Sequence, residues 1–140
     1  MRHSGTDEPQ AAMSIFQADQ KRKEKHMIKV SIYLTRRADT SPEEFSDYWR
    51  NEHAPLLLSL DDFTSRVRRY VQQYRVREIA DEVPSLSYDG VAEIWLDQLT
   101  DLAELFDSPE YRRVVAADEE KFLDRSKTTV FVTTEHGIIG

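Results

Sequence analysis

Between residues 27 and 36 apolar and polar positions alternate, with Ile28, Val30, Ile32 and Leu34 on one side and Lys29, Ser31, Tyr33 and Thr35 on the other. That two-residue period predicts a strand with one wholly apolar face. The turn-like run "RADT" follows, and the period then becomes helical. Ser41 can cap the helix, Pro42 suits its first position, and Glu44 completes a capping box. Phe45, Tyr48, Trp49 and Glu52 share one face at helical spacing, and His53 lies on its edge, one turn beyond Trp49. Pro55 lacks an N–H and its ring would clash with the carbonyl of Asn51, so the helix is expected to end at about His53–Ala54.

A second strand fits residues 66–76, rich in Val and Tyr. Simple alternation puts Val67 and Val71 on one face and Tyr70 and Tyr74 on the other, which predicts cover on both sides. The third strand spans 91–97, with Ala92, Ile94 and Leu96 opposed to Val91, Glu93 and Trp95. From Thr100 to Asp124 the period is helical again, first through Leu102, Leu105 and Phe106. Ser108 and Pro109 then restart it through Tyr111, Val114, Val115 and Phe122. A β-branched run at 128–136 closes the series. The order β-α-β-β-α-β predicts an α+β, ferredoxin-like domain: a four-stranded antiparallel sheet with both helices on one face. Tyr33, Trp95 and Phe131 would make the other face too apolar for water, so a homodimer through the sheet faces is expected. Residues 1–26 are polar and charged with no sustained apolar stripe. They are expected to form a poorly ordered extension or a short helix near Met13 and Phe16, ahead of one domain over 27–140.

Composition narrows the classes. The 140 residues make one domain's worth of chain, 39% hydrophobic and 32% charged. The absence of cysteine excludes disulfides, thiol catalysis and cysteine-ligated metal. A net charge of −7 argues against nucleic acid as a partner. No apolar run approaches a membrane span, and the first residues lack the apolar core of a signal peptide, so a cytoplasmic protein without a membrane partner is expected. His3, His26, His53 and His136 lie far apart and form no HxH or HExxH pair, which gives no reason to expect a metal. There is no P-loop, dinucleotide fingerprint or G-x-S-x-G, and no cofactor is expected.

His53 is the first candidate for chemistry. Its intrinsic pKa near neutrality suits proton transfer, and a helix C-terminus would favour its charged form while burial would oppose it. The alternative is a histidine that merely caps the last carbonyls. Glu93 interrupts an apolar strand, so it is either functional or paired, with an arginine of the second strand as the expected partner. Arg66, Arg68, Arg69, Arg75 and Arg77 are expected in surface or dimer-edge ion pairs, with one or two able to meet an anionic substrate. Tyr33, Tyr48, Trp49, Tyr70, Tyr74 and Trp95 are candidates to line a slot for a flat ligand, against a plain core role. A tyrosine hydroxyl beside a histidine would suit enolate or phenolate chemistry.

The segments "SPEEFSDYWRNEHAPL", "RRYVQQYRV" and "YDGVAEIWLD" together resemble the EthD-domain family, over about residues 27–136. The F-x-x-Y-W-x-x-x-H-x-P run is their most specific element. The resemblance implies the ferredoxin-like fold and a dimeric α/β barrel. It also places the chain in a superfamily whose members act as cyclases, dehydratases, lactone isomerases, cofactor-free monooxygenases and haem-degrading enzymes. The expected function is therefore cofactor-independent proton transfer on an aromatic or polyketide-like carbonyl compound, with His53 as the acid/base. A non-catalytic dimeric binder is the alternative. A haem-handling oxygenase with His53 as axial ligand is a third.

Overall fold

Alternation makes β1 (Ile28–Leu34) a strand whose apolar side faces the helices. It pairs antiparallel with β3 (Gly90–Leu96) on one side and β4 (Thr129–Thr134) on the other, while β2 (Val67–Tyr74) flanks β3. The resulting order β2-β3-β1-β4 is that of a ferredoxin-like sheet. The structure is a computed structural model that describes residues 27–140, so the expected N-terminal extension lies outside the described residues.

The first helical region opens as the sequence predicts. Glu44 N–H donates to Ser41 Oγ at 3.0 Å, and Ser41 N–H donates to Glu44 Oε1 at 2.9 Å. Such a cap contributes about 1 kcal/mol. Helix α1 (Pro42–Tyr48) does not stop at His53, however. It widens into a π-helical turn (Trp49–His53) and continues as α2 (Ala54–Leu58), followed by α3 (Asp61–Thr64). Ala54 N–H reaches back five residues to Trp49 O, and Pro55 falls at the start of the next segment, where its missing donor costs nothing. The side-chain amide of Gln72 also donates to Trp49 O at 3.0 Å, which fastens the widened turn to β2.

The second helical region breaks at Ser108, as expected. After α4 (Leu99–Asp107), Ser108 Oγ accepts the Tyr111 N–H at 2.9 Å, and a second π-helical turn (Tyr111–Val115) leads into α5 (Ala116–Glu119). Val30, Ile94 and Leu96 pack against Leu57, Leu105 and Val115, while Leu34 and Ala92 pack with Phe45, Trp49 and Phe122.

Two expectations about the sheet need correction. A bulge between Val67 and Arg69 turns Val67 onto the helix side with Tyr70 and Tyr74, so β2 is not split as simple alternation implied. The outer face is also less bare than expected. Trp95 is only 7% exposed, because Arg69 and Lys29 lie over its ring at 4.6 and 5.2 Å and its N–H donates to Glu135. Phe131, at 59%, remains exposed on that face. Among the described residues no helix is long and apolar enough to cross a membrane.

Candidate active site

The two π turns face each other across the helix layer. The first carries Trp49 and His53, the second Tyr111, and Asp118 lies three residues beyond the end of the second turn at Val115. Nδ1 of His53 lies 2.7 Å from Oδ2 of Asp118, and the Tyr48 hydroxyl donates to Oδ1 at 2.6 Å. Both His53 and Asp118 are buried, with Phe122 tilted against the imidazole at 4.9 Å between centroids. The carboxylate can only accept, so Nδ1 carries the hydrogen and Nε2 keeps its lone pair. Nε2 makes no hydrogen bond among the described residues. Because the helix continues past His53, its end charge does not act on the ring as the sequence suggested. Burial dominates and holds the His53 pKa below its usual 6.5, with Asp118 pulling the other way. The result is a neutral imidazole oriented by a carboxylate, the arrangement of a general base.

His53 borders a small cavity of about 30 Å³, the space of a single water. Tyr70, Tyr111, Glu119 and Trp49 are among its other walls. Gln72 donates to the Tyr70 hydroxyl oxygen at 2.9 Å and accepts from the Tyr74 hydroxyl, so Tyr70 has its own proton free to donate. Burial pushes the Tyr70 hydroxyl up to about 12, which keeps it a neutral donor, and raises Tyr111 likewise. Glu119 is pushed up to about 7, chiefly by burial, with Arg125 opposing and Asp118 adding to the rise. Burial therefore favours its protonated form far more than for an ordinary carboxylate. A wider groove of about 650 Å³ adjoins the cavity, and Ile32, Phe106, Tyr111 and Glu119 line both.

Of the sequence candidates, His53, Trp49 and Tyr70 meet at this cavity. Tyr48 stands behind it on Asp118, and Tyr74 packs on Trp49 at 5.0 Å and on Arg50 at 4.4 Å. Gly90 makes room for that indole, since a Cβ there would come 2.7 Å from Trp49 Cζ3. Tyr33, Glu93 and Trp95 lie on the outer face of the sheet, away from His53. Glu93 is paired, but with Lys29 at 2.6 Å and Gln73 at 2.8 Å rather than with an arginine. Arg66, Arg68 and Arg77 form ion pairs with Asp62 and Glu104, with Asp97 and with Asp89. Sequence reasoning missed Asp118 and Glu119. The spacing of Asp118, three residues after Val115 and four before Phe122, does place it on the buried face.

No three histidine or carboxylate side chains converge as metal ligands among the described residues, and His136 is exposed beyond β4.

Residues 37–126 match the model of the EthD domain. The chain belongs to the EthD domain family. No curated protein matches it significantly. Among solved structures, an ethyl tert-butyl ether D family protein from Bacillus halodurans shares 18% identity at a TM-score of 0.58, with 79% of this chain and 99% of that chain covered. A dimeric protein of unknown function and ferredoxin-like fold from Bacteroides fragilis shares 14% at 0.57, covering 79% and 97%. SnoaB, a cofactor-independent oxygenase from Streptomyces nogalater, shares 10% at 0.54, covering 81% and 97%. At these identities the likeness is one of fold, and this EthD protein's chemistry rests on its own residues.

Proposed function

We propose that this EthD protein is a small enzyme, working without a resident cofactor, that moves a proton beside a carbonyl of an aromatic or polyketide-like compound. The observation that supports this most is the buried His53–Asp118 pair with the Nε2 lone pair left over. In the proposed step Nε2 takes the proton from the carbon next to the carbonyl. The C–H electron pair becomes the enolate C=C bond, and the carbonyl electrons move onto oxygen. Tyr70 or protonated Glu119 donates a hydrogen bond to that oxygen, and His53 returns the proton to a new position. Isomerisation, cyclisation and dehydration share this enolate, and so does reaction of a carbanion with dioxygen. SnoaB, described as a cofactor-independent oxygenase, is a fold relative compatible with that last course. A site that serves proton transfer alone calls on no metal or organic group.

We further propose that the outer sheet face pairs with a second copy in the cytoplasm. Exposed Phe131, opposite Ser31, has half-buried Tyr33, Val71 and Val91 on the same face. The Lys29–Glu93 pair would be covered too, and Gln73 already satisfies the second Glu93 oxygen.

The test is solvent-deuterium incorporation into 2-tetralone, an uncharged flat ketone with acidic C–H groups, followed by ¹H NMR in the presence of a chelator. The wild type should accelerate exchange and His53→Asn should lose about 10²–10⁴ of that acceleration. Equal exchange by both proteins would contradict the role of His53.

A further inference from the structure

Beyond the cavity at His53, the groove of about 650 Å³ has a chemistry of its own. Its floor is the helix-side face of the β1–β4 edge, where Ile32 pairs with Val130 and Val130 stays exposed because no helix covers β4. Phe106 and Tyr111, with rings 5.3 Å apart, form the wall shared with the inner cavity. At this point the groove is apolar, flat and of a size suited to a small organic ligand.

Around the rest of it stand polar groups with unused capacity. The Arg125 guanidinium is in loose ion pairs with Glu119 and Glu120, at 3.6 and 3.8 Å, and makes no hydrogen bond among the described residues, so its N–H groups keep donor capacity. Arg112 spends one nitrogen on Asp107, whose side chain is itself well exposed. Thr128 Oγ1 is buried without a hydrogen-bond partner, and such groups ordinarily have one. Two arginines and a free hydroxyl border the groove together with Glu119, whose burial favours its protonated form, so the cations there are not fully cancelled and leave a place for an anion.

We propose that the groove takes an organic carboxylate, its planar apolar body against Ile32, Val130 and Phe106 and its carboxylate on Arg125 and Thr128, with Arg112 alongside. The fork of the guanidinium suits a planar carboxylate in two-point contact. A ligand so held presents its far end to the Phe106–Tyr111 wall, on whose other side His53 borders the inner cavity. This deepens the proton-transfer reading and rests on it: the carbonyl compound acted on would carry a carboxylate remote from the reacting carbon.

The probe is 1-hydroxy-2-naphthoate against its uncharged methyl ester, with binding to the full chain followed by ligand-observed NMR and equilibrium dialysis at low salt. Wild type should bind the acid at least tenfold more tightly than the ester. Arg125→Gln should erase that preference, and Thr128→Val should weaken the acid several-fold without lowering the melting temperature. His53→Asn should keep the preference intact. Equal affinities for acid and ester, no binding of either at millimolar concentration, or a preference that survives in Arg125→Gln would each overturn the groove assignment. None of these outcomes bears on deuterium exchange into 2-tetralone, which carries no charge, so the two readings fail separately.

Discussion

Nδ1 of His53 and Oδ2 of Asp118 stand 2.7 Å apart across 65 residues of sequence. The contact joins the two helical regions that cover the sheet, and it is shared by Tyr48 on the other oxygen of the same carboxylate. A buried carboxylate is costly unless its oxygens are satisfied, and here both are. The pair therefore holds the helices in register and fixes the tautomer of the histidine in one interaction.

Asp118→Asn keeps the size and one acceptor oxygen but removes the charge. Either His53 or Tyr48 then loses its best acceptor, which should cost about 1–3 kcal/mol of stability. Thermal melts should show a lowered but cooperative transition. Exchange into 2-tetralone should fall at least tenfold, because the ring is no longer held in the Nδ1–H form. Full activity in a folded Asp118→Asn protein would leave the carboxylate a purely structural role.

Gly90 and Trp49 are coupled through space. Gly90→Ala would place a methyl group 2.7 Å from Trp49 Cζ3 and 3.1 Å from the Gln73 carbonyl. Overpacking of this kind costs about 1–3 kcal/mol. Trp49→Phe removes the distal ring atoms, so in the double variant the glycine substitution should cost less than it does alone. Denaturant melts of the four proteins measure that coupling; strict additivity would mean that the indole does not need the glycine.

Burial gives Glu119 and His53 opposite pH signatures. The folded-state pKa of Glu119, about 7, lies above the carboxylate reference value of 4.5, so its contribution to stability is full below 4.5 and is lost as pH rises through about 7. His53 is held below 6.5, so its contribution is full above 6.5 and is lost as pH falls through the folded value. Glu119→Gln removes only the first effect. Its melting temperature should exceed that of the wild type at pH 8, and the gap should narrow toward pH 4.5. A gap independent of pH would contradict a buried carboxyl that titrates near 7.

For the proposed dimer, light scattering at low micromolar concentration should give twice the 16.4 kDa chain mass. Phe131→Lys puts a charge on the exposed outer face and should shift the protein toward monomer while the fold persists. A wild-type monomer would dismiss the sheet-to-sheet pairing.

Local signals in the chain were legible: the period of β1, the capping box at Ser41 and Glu44, and the restart at Ser108 all involve residues within a few positions of one another. The π turn at Trp49–His53 was not, because it leans on Gln72, 23 residues away, and Pro55 read alone signals a helix end. The bulge beside Arg68 hid the true facing of Val67 in the same way. His53 stood out as a titratable ring on an aromatic helix edge. Asp118 and Glu119 lay in an acidic run that resembles a solvated surface; the spacing of Asp118 from Val115 and Phe122 carried a signal of burial, but its pairing with His53 and the place of Glu119 at the cavity come from the packing of the second helical region over the first.

The most direct test of the central claim is the pH dependence of the His53 ring nitrogens by long-range ¹H–¹⁵N NMR. A general base oriented by Asp118 predicts an Nδ1–H, Nε2-unprotonated ring near neutral pH that becomes protonated only below pH 6.5. A ring protonated on Nε2, or one that titrates above 6.5, would contradict it.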